Sequence, residues 1–83
     1  MLVEDFTHVG GEHYFRVMPG PGMSSLFFHK VVSGIPQRQL VLVDLPAVPT
    51  KSQCKAVLDH LLRASDYLQT TQNEVLEVIR LTN

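Results

Sequence analysis

His8 and His13 are the residues whose type and spacing come nearest to chemistry. They flank Gly10 and Gly11, and a Gly-Gly pair between polar and apolar alternation reads as a two-residue hairpin turn, because a type I′ turn needs positive φ at both positions. That register sets His8 opposite His13 on one face. Two imidazoles so placed could ligate a metal, with tetrahedral zinc keeping an open position as the fitting ion. The nearest third donor, Glu4, lies four positions along the strand, and His29, His60 and Cys54 sit in other elements. Two solvated histidines beside a hairpin tip are the plainer reading, so a His8 and His13 metal site stands as an alternative.

Nucleophilic catalysis would require Cys54 or a serine beside a base, with a third group to orient that base. Cys54 instead falls in the apolar stripe of a helix, where a thiol behaves as a small packed hydrophobe. Glycines occur without the strand, loop and helix order of a phosphate cradle. The sequence therefore carries no cofactor fingerprint and no catalytic set, and a non-enzymatic protein is expected. A third constellation, Tyr14 with Arg16, Lys30 and Arg38, would suit base stacking on a sheet surface. Asp5 opposite Arg16 and Glu12 on the same face offset it.

These groups depend on the elements that place them. The Gly-Gly register pairs Thr7 with Tyr14, Phe6 with Phe15 and Asp5 with Arg16, an aromatic and an opposite-charge pair. One face then holds Leu2, Phe6, Phe15 and Val17, the other Asp5, Thr7, Glu12, Tyr14 and Arg16. Pro19–Gly22 reads as a turn or loop that does not sustain a ladder. A second hairpin, 25–32 with 37–45, turns at Ser33, Gly34, Ile35 and Pro36. Its register sets Leu26 against Val43 and Phe28 against Val41 on one face, Phe27 against Leu42 and His29 against Leu40 on the other. Both faces are then apolar in the middle.

Pro46, Ala47, Val48 and Pro49 divide strands from helix. Thr50 and Gln53 form a capping box, and Cys54, Val57, Leu58, Leu61, Leu62 and Leu68 fall within one apolar sector opposite Lys55, Asp59, Arg63 and Asp66. Thr71 with Glu74 reads as a second capping box, so a break near 69–73 is favoured over one long helix. A heptad through Cys54, Leu58, Leu61, Leu68, Val75 and Ile79 would form a seam if the helix ran on. The expected fold is α+β: a four-stranded antiparallel sheet of two sequential hairpins, packed by one long or two short C-terminal helices, in a single domain over residues 1–83.

Composition bounds the partners. Over 83 residues, seven Lys and Arg against eight Asp and Glu give a net charge of −1, which argues against nucleic acid and anionic lipid. One cysteine excludes an intrachain disulfide and fits the cytoplasm. Glu4 and Asp5 stand where an export signal would be basic and then apolar, and nothing approaches a stretch of about 18 uncharged apolar residues. A chain of this size buries only ~60–65% of its unfolded surface, so association adds to its stability. The sequence thus predicts a protein-binding module, an adaptor, inhibitor or self-associating homodimer. Its interface would draw on Phe27, Phe28, Leu40, Leu42, Leu61, Leu68, Val75 and Ile79.

Overall fold

Two tight turns organise the strand half of the chain in this computed structural model, which describes residues 4–7, 12–46 and 48–82. Pro21 and Gly22 make the first: proline presets φ near −65° and Gly22 takes φ 77°, the pattern of a type II turn. Ser33 and Gly34 make the second, with φ 52° and 79°. Positive φ at both positions is the type I′ pattern that matches strand twist. The strands they join are β1 (Glu4–Thr7), β2 (His13–Gly20), β3 (Met23–Val32), β4 (Ile35–Pro36) and β5 (Leu40–Pro46).

The sheet runs β1-β2-β3, and β3 pairs on its far side with both β4 and β5. All pairs are antiparallel. The return strand is thus split in two by Gln37–Gln39, and the sheet is a meander four strands wide. With two C-terminal helices, the class is α+β as expected.

The β1-β2 register is the expected one, pairing Thr7 with Tyr14, Phe6 with Phe15, Asp5 with Arg16 and Glu4 with Val17. The Gly10–Gly11 turn and His8 lie outside the described residues. Pro19 and Gly20 correct the sequence reading. They belong to β2, paired with Ser24 and Met23, and only Pro21–Gly22 turns. Gly20 and Met23 close a two-residue hairpin, so the Pro19 and Ser24 pair is a non-hydrogen-bonded one, and the N–H that proline lacks would point away from β3.

The second hairpin is also corrected. Leu26 faces Leu42, Phe27 faces Val41 and Phe28 faces Leu40, one residue out of the expected register. The turn is Ser33–Gly34 alone, which pairs Val32 with Ile35 and Val31 with Pro36. One extra residue then enters the return strand before Leu40. Another enters at Val43–Asp44, where the register shifts between Ser24 and Leu26 and Asp44 takes φ 61°, as bulges do. A one-residue slip exchanges the faces of a strand, so Leu40, Leu42 and Leu45 join Leu26 and Phe28, and Val41 and Val43 turn the other way.

The residues divide into two compact units, Met1–Val48 and Pro49–Asn83. In the first, the buried side chains Phe15, Val17, Ser24, Leu26, Phe28, Leu40, Leu42 and Leu45 share one face of the sheet. Phe15 and Phe28 meet edge-on across β2 and β3, centroids 6.4 Å apart. Each apolar side chain among them contributes roughly 1.5–3 kcal/mol on burial.

The second unit holds α1 (Lys51–Arg63), a 3₁₀ turn at Tyr67–Gln69 and α2 (Gln72–Leu81). The Thr50 capping box forms in full: Gln53 N–H donates to Thr50 Oγ1 at 3.2 Å, and Thr50 N–H donates to Gln53 Oε1 at 2.8 Å. The helix ends earlier than the sequence suggests, at Arg63 rather than near residue 69. Asp66 explains this, because its Oδ1 accepts from the Leu68 N–H at 3.0 Å and competes with helical bonding. A seam running from Cys54 to Ile79 through one helix does not form. Cys54, Val57, Leu58, Leu61, Tyr67 and Val75 are buried instead. Gln53 Nε2 ties the helices by donating to the carbonyls of Ile79 at 3.1 Å and Thr82 at 3.0 Å.

Candidate functional site

The face of the sheet opposite the buried one is built by alternation. Phe15 and Val17 face inward, so Tyr14, Arg16 and Met18 on β2 face outward. Leu26 and Phe28 face inward, so Phe27 and His29 on β3 face outward, followed by Val41 and Val43 on β5. Register lines them up in rows: Tyr14 beside His29, then Arg16 beside Phe27 beside Val41.

The rows make specific contacts. The rings of Tyr14 and His29 stack with centroids 5.1 Å apart and 13° between planes. The Arg16 guanidinium carbon lies 5.4 Å from the Tyr14 centroid, a cation–π distance. Tyr14, Arg16, Met18, Phe27, His29 and Gln39 enclose a shallow depression of about 400 Å³. Met18, Val41 and Val43 are 39%, 46% and 48% exposed. The face therefore combines a flat aromatic and cationic stack with adjoining apolar side chains in water. That arrangement offers burial and stacking to a ligand.

The residues expected to form an interface separate. Phe28, Leu40, Leu42, Leu61 and Val75 are buried. Phe27, Leu68 and Ile79 are half-buried, and of these Phe27 lies on the outward sheet face. Met18, Val41 and Val43 were not singled out from sequence; the expected register set both valines with Leu26 and Phe28, on the face that is buried. Asp44, a residue type tolerant of positive φ, was the available signal for the bulge that exposes them.

His13 is half-buried, with its ring centroid 6.0 Å from that of Phe28 and 16° from parallel. Its expected metal partner His8 lies outside the described residues. Among the described residues, no cluster of three or more His, Cys, Asp and Glu is placed to hold a metal. Cys54 is buried, with Sγ 3.8 Å from the Pro49 carbonyl oxygen. Lys30 and Arg38, expected beside Tyr14 and Arg16 for base stacking, do not line the depression.

In the helical unit, His60 Nε2 lies 3.2 Å from Glu74 Oε2, joining α1 to α2. An open cleft of about 410 Å³ beside them is lined by Arg63, Asp66, Gln69 and Thr70 among others. It mixes both signs of charge. No described helix is long and apolar enough to cross a membrane.

Comparison with protein-family models, curated proteins and solved structures returns no match to this chain.

Proposed function

We propose that this chain is a non-enzymatic protein-binding module of the cytoplasm that engages its partner through the outward face of the sheet. The observation that carries the reading is Phe27, Val41, Val43 and Met18 set side by side on that face, against the Tyr14–His29 stack. Three of the four are more than a third exposed. Aromatic residues, methionine and arginine are the types enriched where proteins bind one another, and all three occur within these rows. A formal charge of −1 supports a protein over a nucleic acid as the ligand.

On this reading the module works as an adaptor or inhibitor by burying the face against another protein. Self-association through the same surface is the homodimeric version, distinguished by mass in solution. The test is a pair of charge-changing substitutions. Val43→Glu places a charge on the outward face and is expected to abolish capture of the partner, with a thermal midpoint close to wild type. Asp59→Lys, on an exposed helical position, is expected to leave capture intact. Equal capture by wild type and Val43→Glu would reject the sheet face as the binding surface.

A further inference from the structure

The outward face ends at an open strand edge, and the backbone of that edge specifies what can dock there. β5 pairs with β3 on one side, and no described residue pairs with its other side. Its ladder can be followed from the turns. Val31 N–H donates to the Glu12 carbonyl at 2.7 Å, and Gln37 N–H donates to the Lys30 carbonyl at 2.8 Å. Odd-numbered residues of β3 therefore bond to β2, and even-numbered ones bond to the return strand. Leu40, Leu42 and Leu45, opposite Phe28, Leu26 and Ser24, turn their N–H and C=O groups toward β3. Val41 and Val43 turn theirs outward.

Prolines bound this window. Pro36 pairs with Val31 and Pro46 with Met23, both odd-numbered positions that bond to β2. The N–H groups these prolines lack would have pointed to the same open side. Proline and bulges are devices by which edge strands resist pairing, and here Pro36, Pro46 and the Val43–Asp44 bulge close off everything except Leu40–Val43. The remaining length is about 13 Å at the rise of a strand.

We infer that the β5 edge between Pro36 and Pro46 binds an extended peptide segment of a partner protein by strand addition, with alternate apolar side chains of that segment lying beside Val41 and Val43. The inference rests on the proposed protein-binding role and names the form of the partner. A peptide strand takes the Val41 and Val43 backbone groups and lays every second side chain over the outward face, the recognition mode of β-augmentation. A second copy of this chain fits less well. Two copies meeting along a four-residue window form a strand pair that falls well short of the ~1,200 Å² of a stable dimer, whereas a linear segment can continue over Phe27 and the neighbouring depression.

The test uses the full chain and a phage library of random linear peptides. Selection is expected to enrich sequences with apolar β-branched or aromatic residues at every second position. A synthetic peptide of the enriched sequence should shift the Val41 and Val43 amide resonances and slow their hydrogen exchange. Val41→Pro removes the outward N–H and is expected to weaken that peptide about tenfold. Replacing the Val41 amide by an ester, through ligation at Cys54, removes the same N–H with the side chain kept, and should match it if Val41→Pro disturbs the fold. Unchanged affinity in both variants would overturn strand addition. So would resonance shifts confined to Tyr14, Phe27 and His29, although the face would remain a protein-binding surface. A library that yields no binder, or a concentration-dependent dimer that Val41→Pro dissociates, would also overturn the peptide as occupant.

Discussion

Tyr14 and His29 stack across β2 and β3 with ring centroids 5.1 Å apart, on the opposite side of the sheet from Phe15 and Phe28, which meet at 6.4 Å. Adjacent residues on the same two strands thus make an aromatic pair on each face. One pair is buried and holds the fold. The other is half-buried and available to a ligand. This division of labour by strand parity underlies the first expectation.

Substitution at neighbouring positions should separate the two faces. Phe28→Ala removes a fully buried ring and is expected to cost about 3–5 kcal/mol. Leu42→Ala is expected to cost about 2–5 kcal/mol. Val41→Ala and Val43→Ala, on the outward face, should cost under about 1 kcal/mol. Urea titration of the four variants reads this directly. A larger loss at Val43 than at Leu42 would mean that β5 is paired in the other register.

The turn at Ser33 and Gly34 carries its own test. A Cβ at Gly34 meets nothing within 4 Å, so Gly34→Ala isolates backbone strain at φ 79°. The expected loss is about 1–2 kcal/mol. Ser33→Gly, which relieves a non-glycine residue at φ 52°, should leave stability unchanged or raise it slightly. Thermal unfolding of both variants decides whether the turn is of the primed type.

The two helix caps should differ in worth. Thr50 belongs to a reciprocal box, and Thr50→Ala is expected to cost about 1 kcal/mol or more. Thr71 accepts from the Glu74 N–H at 3.2 Å, but the Glu74 carboxylate reaches His60 instead of completing a box. Thr71→Ala should therefore cost less than Thr50→Ala. Equal losses would show that the Gln53 side chain adds nothing to the first cap.

One pH effect follows from α2. Hydrogen bonding to the Arg80 guanidinium, with Nε donating to Glu77 Oε2 at 3.1 Å, holds the Glu77 carboxyl below its usual range. A depressed acid favours the fold above its unfolded-state pKa, and that contribution is lost as pH falls through the folded value. Both side chains are exposed, so screening keeps the effect small. NMR titration should show Glu77 returning to ordinary carboxyl behaviour in Arg80→Gln. An unchanged titration in that variant would mean the pair does not persist in solution.

Much of this was legible in the sequence where one local signal dominated. The Gly-Gly pair and the Phe6–Phe15 and Asp5–Arg16 matches placed β1 against β2, and Thr50 with Gln53 placed the start of α1. The second hairpin was not legible, because Ser33, Gly34, Ile35 and Pro36 all look like turn residues, and a loop over all four sets a register two residues away from that of the Ser33–Gly34 turn. The extra residues before Leu40 and at Val43–Asp44 then altered the pairing again, and only backbone geometry reveals such insertions. The end of α1 was missed for a related reason. Ala64 carries no breaker signal, and the competing side-chain bond comes from Asp66, two residues later. The candidate site inherited the error in β5, which set Val41 and Val43 beside Leu26 and Phe28, and Leu40 and Leu42 beside Phe27 and His29.

The most direct measurement is site-specific photo-crosslinking in the cells that make the protein. A benzoyl-phenylalanine at position 27 or 41, on the outward face, is compared with one at position 59 on the exposed side of α1. A discrete protein adduct from 27 and 41 and none from 59 is the expected result, and the mass of the adduct tells a second copy from a different partner. No adduct from the sheet face, or an equal adduct from position 59, would contradict the account.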